Sequence, residues 1–222
     1  MKLFKQILAV ILCGVAFSAG ASPAAPVAGT DYVVLPEPQA VDTGKKVEVI
    51  EFFAYYCPHC YALEPSMAAW VKKQGDNVVF KRIHVSRGPS VLPQQKLFFA
   101  LEAMGLVEQN HAKVFNAMHE QGNSLRNDEA VIDWAASNGI DKAKFTEVYN
   151  SFGVAAKVRR TERMMGDYRV DYWPMLVVDG KYMTSPAEAS KSIKPVPSSA
   201  QQHANALTVL DFLVAKAKAE KK

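Results

Sequence analysis

The sequence lacks a hydrophobic run long enough to cross a bilayer and carries little surplus charge of either sign. Its amino-terminal apolar stretch, residues 7–17, spans 11 residues, against the roughly 20 of a membrane-spanning helix. The net charge of +4 is too small to indicate nucleic acid or an anionic membrane as a partner. With 49% hydrophobic and 22% charged residues, the composition is that of an ordinary globular protein.

The short apolar stretch indicates a targeting segment. Lys2 and Lys5 precede it, and the small residues from Ala19 to Ala21 form a cleavage site. We therefore predict a signal peptide over residues 1–21, with an uncleaved membrane anchor as the alternative. Its removal lowers the formal charge from +4 to +2, because two lysines leave with it.

Cysteine is scarce as well. The chain has three, and Cys13 leaves with the signal peptide. Export places the remaining pair, Cys57 and Cys60, in an oxidising compartment. The short, lysine-poor signal favours the bacterial periplasm as that compartment.

Periodicity divides the chain into an α/β part and a helical part. A strand that is apolar on both faces is predicted before Cys57, a helix after it, and a second strand at 78–85. Between 93 and 166 the pattern predicts four or five helices and no strand. An Asp179-Gly180 turn then joins two strands of a hairpin, and an amphipathic helix ends the chain.

These elements predict the domain organisation. An α/β domain is expected over residues 22–90 and 167–222. It is interrupted by an all-helical domain over residues 91–166. The strand-helix-strand unit before the insertion and the hairpin-helix unit after it belong to the same domain in this interpretation.

The Cys57-Pro58-His59-Cys60 segment carries the strongest chemical signal. Pro58 suits the first turn of a helix, so Cys57 is expected at the helix N-terminus. Backbone N–H groups and the helix dipole favour a thiolate there, and a protonated His59 adds to that effect. Cys60, one turn further in, is expected to be more buried and to act as the resolving thiol.

Two other interpretations of the cysteines are weaker. A purely structural disulfide across so short a loop would constrain the unfolded chain little. A zinc site needs two more ligands, and the four other histidines show no paired ligand spacing. We therefore expect a redox pair, no bound metal and no organic cofactor, since the disulfide itself carries two electrons.

Residues 51–61, EFFAYYCPHCY, resemble the active-site segment of the DsbA family of disulfide-bond-forming proteins. The resemblance extends over nearly the whole mature chain, including the helical region, the 177–182 hairpin segment and the last helix. It implies a thioredoxin fold with an inserted all-helical domain. It also implies oxidation of newly exported proteins and reoxidation by an integral membrane partner of the DsbB type. A strongly lowered cysteine pKa is a further implication of the family.

The resemblance also assigns a role to Pro174. The fold places a cis-proline opposite the two cysteines, where the preceding backbone can pair with a substrate peptide. A trans proline that merely begins a strand is the alternative. Trp173 departs from the family, which usually has Val or Thr there. An indole beside the disulfide would narrow access, change the redox poise or offer an apolar platform for substrate.

Glu51 is the last candidate, six residues before Cys57 on the predicted central strand. A carboxyl group in an apolar strand has a raised pKa and can relay a proton to Cys60. The alternative is a carboxylate paired with a cation, for which Arg82 is the candidate.

The resulting hypothesis is a periplasmic, monomeric dithiol oxidase that donates the Cys57–Cys60 disulfide to reduced exported proteins. Two alternatives remain: a reductase or isomerase on the same fold, and a non-catalytic chaperone or peptide-binding module. An isomerase is disfavoured because the chain has no additional dimerisation domain.

Overall fold

The computed structural model describes residues 25–221. The predicted signal peptide, its cleavage site and Cys13 lie outside the described residues. Within 25–221, no helix combines the length and the apolar character that a membrane crossing requires.

A mixed five-stranded sheet forms the centre of the α/β part. Its strands lie in the order β1-β5-β4-β2-β3. The central β2 is parallel to β3 and antiparallel to β4, and every residue of β2 is buried. A strand covered on both faces accounts for the nearly continuous apolar run in the sequence. The strands are β1 (Val33–Val34), β2 (Val47–Phe53), β3 (Val78–His84), β4 (Met175–Val178) and β5 (Tyr182–Thr184).

In the part of the chain that the structure describes, seven α-helices accompany the sheet. The first connects β2 to β3, five follow between β3 and β4, and the last follows β5. Asn127, Asp141 and Ser151 begin three of the five inserted helices by accepting a backbone N–H with the side chain. The helices are α1 (Pro58–Gln74), α2 (Leu92–Ala103), α3 (Val107–His119), α4 (Asp128–Ser137), α5 (Lys142–Tyr149), α6 (Phe152–Asp167) and α7 (Ser199–Glu220).

This topology confirms the predicted thioredoxin fold with an inserted helical region. The β2-α1-β3 unit and the β4-β5-α7 unit share one sheet, as the sequence order of elements predicted. The hairpin turn has positive φ at both Asp179 and Gly180. Gly180 also packs closely against the backbone of Gln39. A Cβ at position 180 would come 2.2 Å from the Gln39 carbonyl oxygen.

Two apolar cores cover the two faces of the sheet. Val47 and Val49 pack with α1 and α7, while Ile50 and Phe52 face the inserted helices. Because side chains alternate along a strand, Glu51 shares the face of Val47 and Val49, towards α1. The fold thus places a carboxyl group under the helix that begins at the two cysteines.

Candidate active site around Cys57 and Cys60

Cys57 occupies the junction between β2 and α1. It is the N-cap residue of α1, in extended conformation, and Pro58 is the first helical residue. The Cys57 Sγ accepts the Cys60 backbone N–H over 3.4 Å. Cys57 and Cys60 are present as two thiols in this structure.

The pKa values of the two cysteines shift in opposite directions. A hydrogen bond from the Cys60 thiol is the main cause that lowers the pKa of Cys57 to about 6, against the opposing effect of burial. The backbone N–H groups of Cys60 and His59 and the charge of the exposed His59 lower this pKa further. Cys57 therefore favours the thiolate at neutral pH.

Cys60 behaves in the opposite way. Burial is the main cause that raises the pKa of its thiol, and the hydrogen bond to Cys57 and the charge of Glu51 add to the effect. Cys60 is only 1% exposed to solvent. The pair thus consists of an acidic Cys57, which is 6% exposed, and a more deeply buried, weakly acidic Cys60.

A buried charge cluster lies beneath the cysteines. The Arg82 guanidinium on β3 donates to Glu51 over 3.3 Å and to both carboxylate oxygens of Glu64 over 3.0 and 3.2 Å. Burial raises the pKa of Glu51 to about 7, although Arg82 opposes the shift. The sequence anticipated Glu51 and Arg82 but missed Glu64. A signal existed, because Glu64 follows Cys60 by four residues and so shares its face of α1.

A second set of residues missed from the sequence fixes the segment that precedes Cys57. The Tyr55 backbone N–H donates to His84 Nε2 over 3.0 Å, and His119 Nε2 donates to the Tyr55 carbonyl over 2.7 Å. The Tyr55 hydroxyl lies 3.0 Å from His111 Nδ1. Burial lowers the pKa of His84 to about 3 and that of His111 well below its ordinary value. His84 and His111 are therefore neutral.

From the sequence, His84, His111 and His119 are candidates only for a zinc site, and their spacing disfavours that role. The structure instead surrounds Tyr55 with them. His111 Nε2 is 3.3 Å from a Glu64 carboxylate oxygen but lacks the alignment of a hydrogen bond. Within residues 25–221, no group of three or more His, Cys, Asp or Glu side chains is arranged to hold a metal ion.

The Trp173–Pro174 segment forms the wall opposite Cys57. The peptide bond between the two residues is cis. The Trp173 carbonyl oxygen lies 3.7 Å from Cys57 Sγ and accepts a hydrogen bond from this sulfur when it is protonated. The indole ring stands edge-on to Tyr56, with ring centres 6.1 Å apart, and the Arg87 guanidinium lies 4.8 Å from its centre. The backbone of residue 173 thus contacts the sulfur while its side chain is held by two neighbours.

The chain is similar to known proteins over most of its length. The DSBA-like thioredoxin domain matches residues 86–194, and the thioredoxin domain matches residues 38–100. The chain is 45% identical to the thiol:disulfide interchange protein DsbA of Burkholderia cepacia, covering 95% of this chain and 96% of that protein. It is 38% identical to the DsbA of Bordetella parapertussis, with 82% of each chain covered.

A solved structure is similar as well. The crystal structure of Pseudomonas aeruginosa DsbA matches with a TM-score of 0.79 and 33% sequence identity. The match covers 88% of this chain and 96% of that one.

The lowered pKa of Cys57 leads to a first prediction. In the reduced protein, the ultraviolet absorbance of the thiolate should titrate with a midpoint near pH 6. Cys60→Ala removes the hydrogen bond that contributes most, so the midpoint should rise. Cys57→Ser should abolish the transition. A midpoint in the unfolded-thiol range, about 8.5, would contradict the electrostatic assignment.

Glu51 leads to a second prediction, which concerns stability. Folding raises the pKa of Glu51 from 4.5 to about 7. The stability that Glu51 contributes is therefore fully present below about pH 4.5 and is lost as the pH rises through about 7. Glu51→Gln cannot ionise. The free energy of unfolding of the reduced variant, relative to that of wild type, should therefore increase between pH 4.5 and 7. The increase should be on the order of 1–3 kcal/mol. Urea unfolding at pH 5 and pH 8 measures this gain.

Glu162→Gln, on the exposed side of α6, provides the matched surface control for the stability measurement. If Glu51→Gln and wild type keep a constant difference across this pH range, then Glu51 is ionised throughout. That result would also remove its capacity to carry a proton near neutral pH.

Proposed function

This chain belongs to the DsbA family of thiol:disulfide interchange proteins, and on that premise we propose that it oxidises exported proteins by passing them a Cys57–Cys60 disulfide. It is a thiol:disulfide oxidoreductase. The observation that carries the direction of exchange is the asymmetry of the two sulfurs. A stabilised Cys57 thiolate lowers the free energy of the reduced enzyme, and a stable reduced form makes the disulfide a strong oxidant.

The reaction transfers two electrons from substrate to enzyme. A substrate thiolate attacks Cys57 Sγ, a mixed disulfide forms, and the Cys57–Cys60 bond breaks. Cys60 leaves as a thiolate and takes up a proton. The second substrate thiolate then attacks the substrate sulfur of the mixed disulfide. Cys57 departs as the stabilised thiolate, and the substrate holds a disulfide.

Glu51 is the proposed proton carrier for Cys60. Its pKa of about 7 allows it to hold or release a proton under ordinary conditions. The charge of Glu51 is also among the smaller causes that raise the pKa of Cys60, so the protonation states of the two groups influence each other. A protonated Glu51 therefore supplies the proton when Cys60 leaves, and the carboxylate takes it back on reoxidation.

The remaining site residues have supporting roles in this proposal. Pro58 begins α1 and so aims its N-terminus at Cys57. His59, which is exposed, adds positive charge next to the thiolate. The cis bond at Pro174 turns the Trp173 carbonyl towards Cys57. An extended substrate peptide can pair with that backbone while its cysteine reacts.

The proposal includes where and with whom the enzyme works. A cleaved signal over residues 1–21 would deliver it to the periplasm. Its substrates would be reduced exported proteins, and an integral membrane reoxidase of the DsbB type would restore the disulfide. We expect a monomer that requires neither metal nor organic cofactor. We retain 91–166 as an inserted domain between the two halves of the thioredoxin-like domain, 22–90 and 167–222.

The equilibrium with glutathione is the direct test of this function. The enzyme disulfide should oxidise glutathione readily, with a reduction potential clearly above the roughly −270 mV of a thioredoxin-type reductase. Cys57→Ser should abolish oxidation of a dithiol peptide. A potential near that of thioredoxin would instead indicate a reductase, and unchanged cellular function of Cys57→Ser would indicate a chaperone or peptide-binding module.

Trp173 leads to a separate prediction. Trp173→Thr removes the ring that Tyr56 and Arg87 hold, so the carbonyl opposite Cys57 becomes less well positioned. We expect a changed reduction potential and a higher KM for peptide oxidation, by about two- to fivefold, which corresponds to one weakened cation–π contact. Arg87→Met should shift both in the same direction.

Tyr172→Val, at the exposed neighbouring position, is the matched control for Trp173→Thr. If the reduction potential, the reoxidation rate and KM are all unchanged in Trp173→Thr, then Trp173 contributes only to packing.

A further inference from the structure

One helix of the inserted region contacts the redox segment on both sides. The last turn of α3 reaches Tyr55, two residues before Cys57, and Tyr61, the residue that follows Cys60. Tyr55 is fully buried, and Tyr61 belongs to the first turn of α1. The segment that carries the two cysteines is therefore held at both ends by a single element of the insertion.

His119 contacts both tyrosines with one ring. Its Nε2 lies 2.7 Å from the Tyr55 carbonyl oxygen. A carbonyl oxygen can only accept a hydrogen bond, so Nε2 carries a hydrogen and donates it. The face of the same ring stacks on the Tyr61 ring, with the ring centres 4.7 Å apart and the planes within 1° of parallel. The edge of His119 thus holds the residue before the cysteines, and its face holds the residue after them.

Tyr61 is held by its hydroxyl group as well. The hydroxyl donates to Glu120 Oε1 over 2.8 Å, and Asn116 Oδ1 lies 3.3 Å from it. The Tyr61 backbone N–H donates to the Cys57 carbonyl over 3.0 Å, which closes the first turn of α1. Because the first turn is joined in this way, a fixed Tyr61 also fixes the direction in which the backbone N–H groups of that turn point.

The position of Cys57 Sγ depends on these flanking residues in the reduced enzyme. Its contact with the Cys60 backbone N–H, over 3.4 Å, is non-covalent. In the oxidised enzyme the covalent bond between the two sulfurs keeps Cys57 Sγ beside the start of α1. Holding Tyr55 and Tyr61 therefore stabilises mainly the reduced form, because a segment that is already ordered loses less conformational entropy when the N–H groups surround the thiolate.

We propose that His119 is a positioning residue for thiol–disulfide exchange, which holds Tyr55 and Tyr61 so that the Cys57 sulfur stays aligned with the N–H groups of α1. The inference rests on the proposed function, because it concerns the oxidising strength of the same site. His119 acts through the two tyrosines rather than on a reacting atom. By stabilising the reduced form, it makes the disulfide a stronger oxidant. The helical insertion thereby contributes to the redox chemistry of the thioredoxin-like part.

The test combines the glutathione equilibrium of the full mature protein with the ultraviolet titration of the Cys57 thiolate. His119→Leu removes the donor and the ring together. The equilibrium constant for oxidation of glutathione should fall by about two- to fivefold, because part of the strength of one hydrogen bond is lost from the reduced form alone. This fall corresponds to a reduction potential lower by about 10–20 mV. The thiolate midpoint, about pH 6 in wild type, should rise by about 0.3–0.7 pH.

Conservative variants separate the hydrogen bond from the ring stack. The side chain introduced by His119→Gln carries an N–H donor, so this variant should recover most of the glutathione equilibrium. Tyr61→Phe keeps the ring stacked on His119 and loses only the hydroxyl, so it should shift the equilibrium less. Tyr61→Leu loses both and should resemble His119→Leu. Ala112→Gln, on the exposed side of α3, is the matched control and should keep the wild-type values.

A positioning role and a merely structural role give different results. If His119→Leu lowers the unfolding temperature but keeps the wild-type glutathione equilibrium and thiolate midpoint, the positioning role is wrong. An effect of His119→Gln as large as that of His119→Leu also overturns it, because the bond to Tyr55 would then have no influence. Should His119→Leu fail to fold, Tyr61→Leu decides in its place. A wild-type potential near that of thioredoxin refutes the proposed oxidase, whereas a His119-dependent shift from that value still supports the positioning role.

Discussion

The chemistry of this protein depends on holding one sulfur at the first turn of a helix while its partner is buried. Cys57 receives backbone N–H groups and a thiol hydrogen bond, and its pKa falls to about 6. Cys60, one turn further in, is desolvated and its pKa rises. Three residues of separation thus produce two sulfurs of opposite character. The difference determines which one accepts attack, which one leaves, and which direction of exchange is favoured.

The helical region participates in this arrangement rather than only covering it. His111 and His119 lie on α3, and both contact Tyr55, two residues before Cys57. His84, at the end of β3, binds the same residue from the sheet. The loop that presents the cysteines is therefore fixed by elements from both parts of the molecule. A loop held in this way loses little conformational entropy when a substrate binds.

The charge cluster under α1 contributes more to the protonation chemistry of the site than to the stability of the fold. One guanidinium, Arg82, is buried between the carboxyl groups of Glu51 and Glu64. Buried ion pairs contribute little net stability because desolvation offsets the attraction. Their effect here is to hold Glu51 near half-protonation at neutral pH. An apolar substitute would pack as well but would carry no proton.

Local patterns in the sequence determined much of this. The two-sided apolar strand, the cysteines at a strand-to-helix junction, an insertion of four or five helices and the Asp179-Gly180 hairpin all follow from periods, caps and turns. Glu51 was anticipated as a proton carrier, and Arg82 as its cationic partner in the alternative interpretation.

Only the tertiary structure brought together residues with no local signal. Glu64 joins Arg82 because α1 packs over β2 and β3. His111 reaches Tyr55 across 56 residues of chain, and the Trp173 carbonyl reaches Cys57 across 116. Such contacts depend on how whole elements pack, whereas sequence periodicity reports only which side of each element is buried.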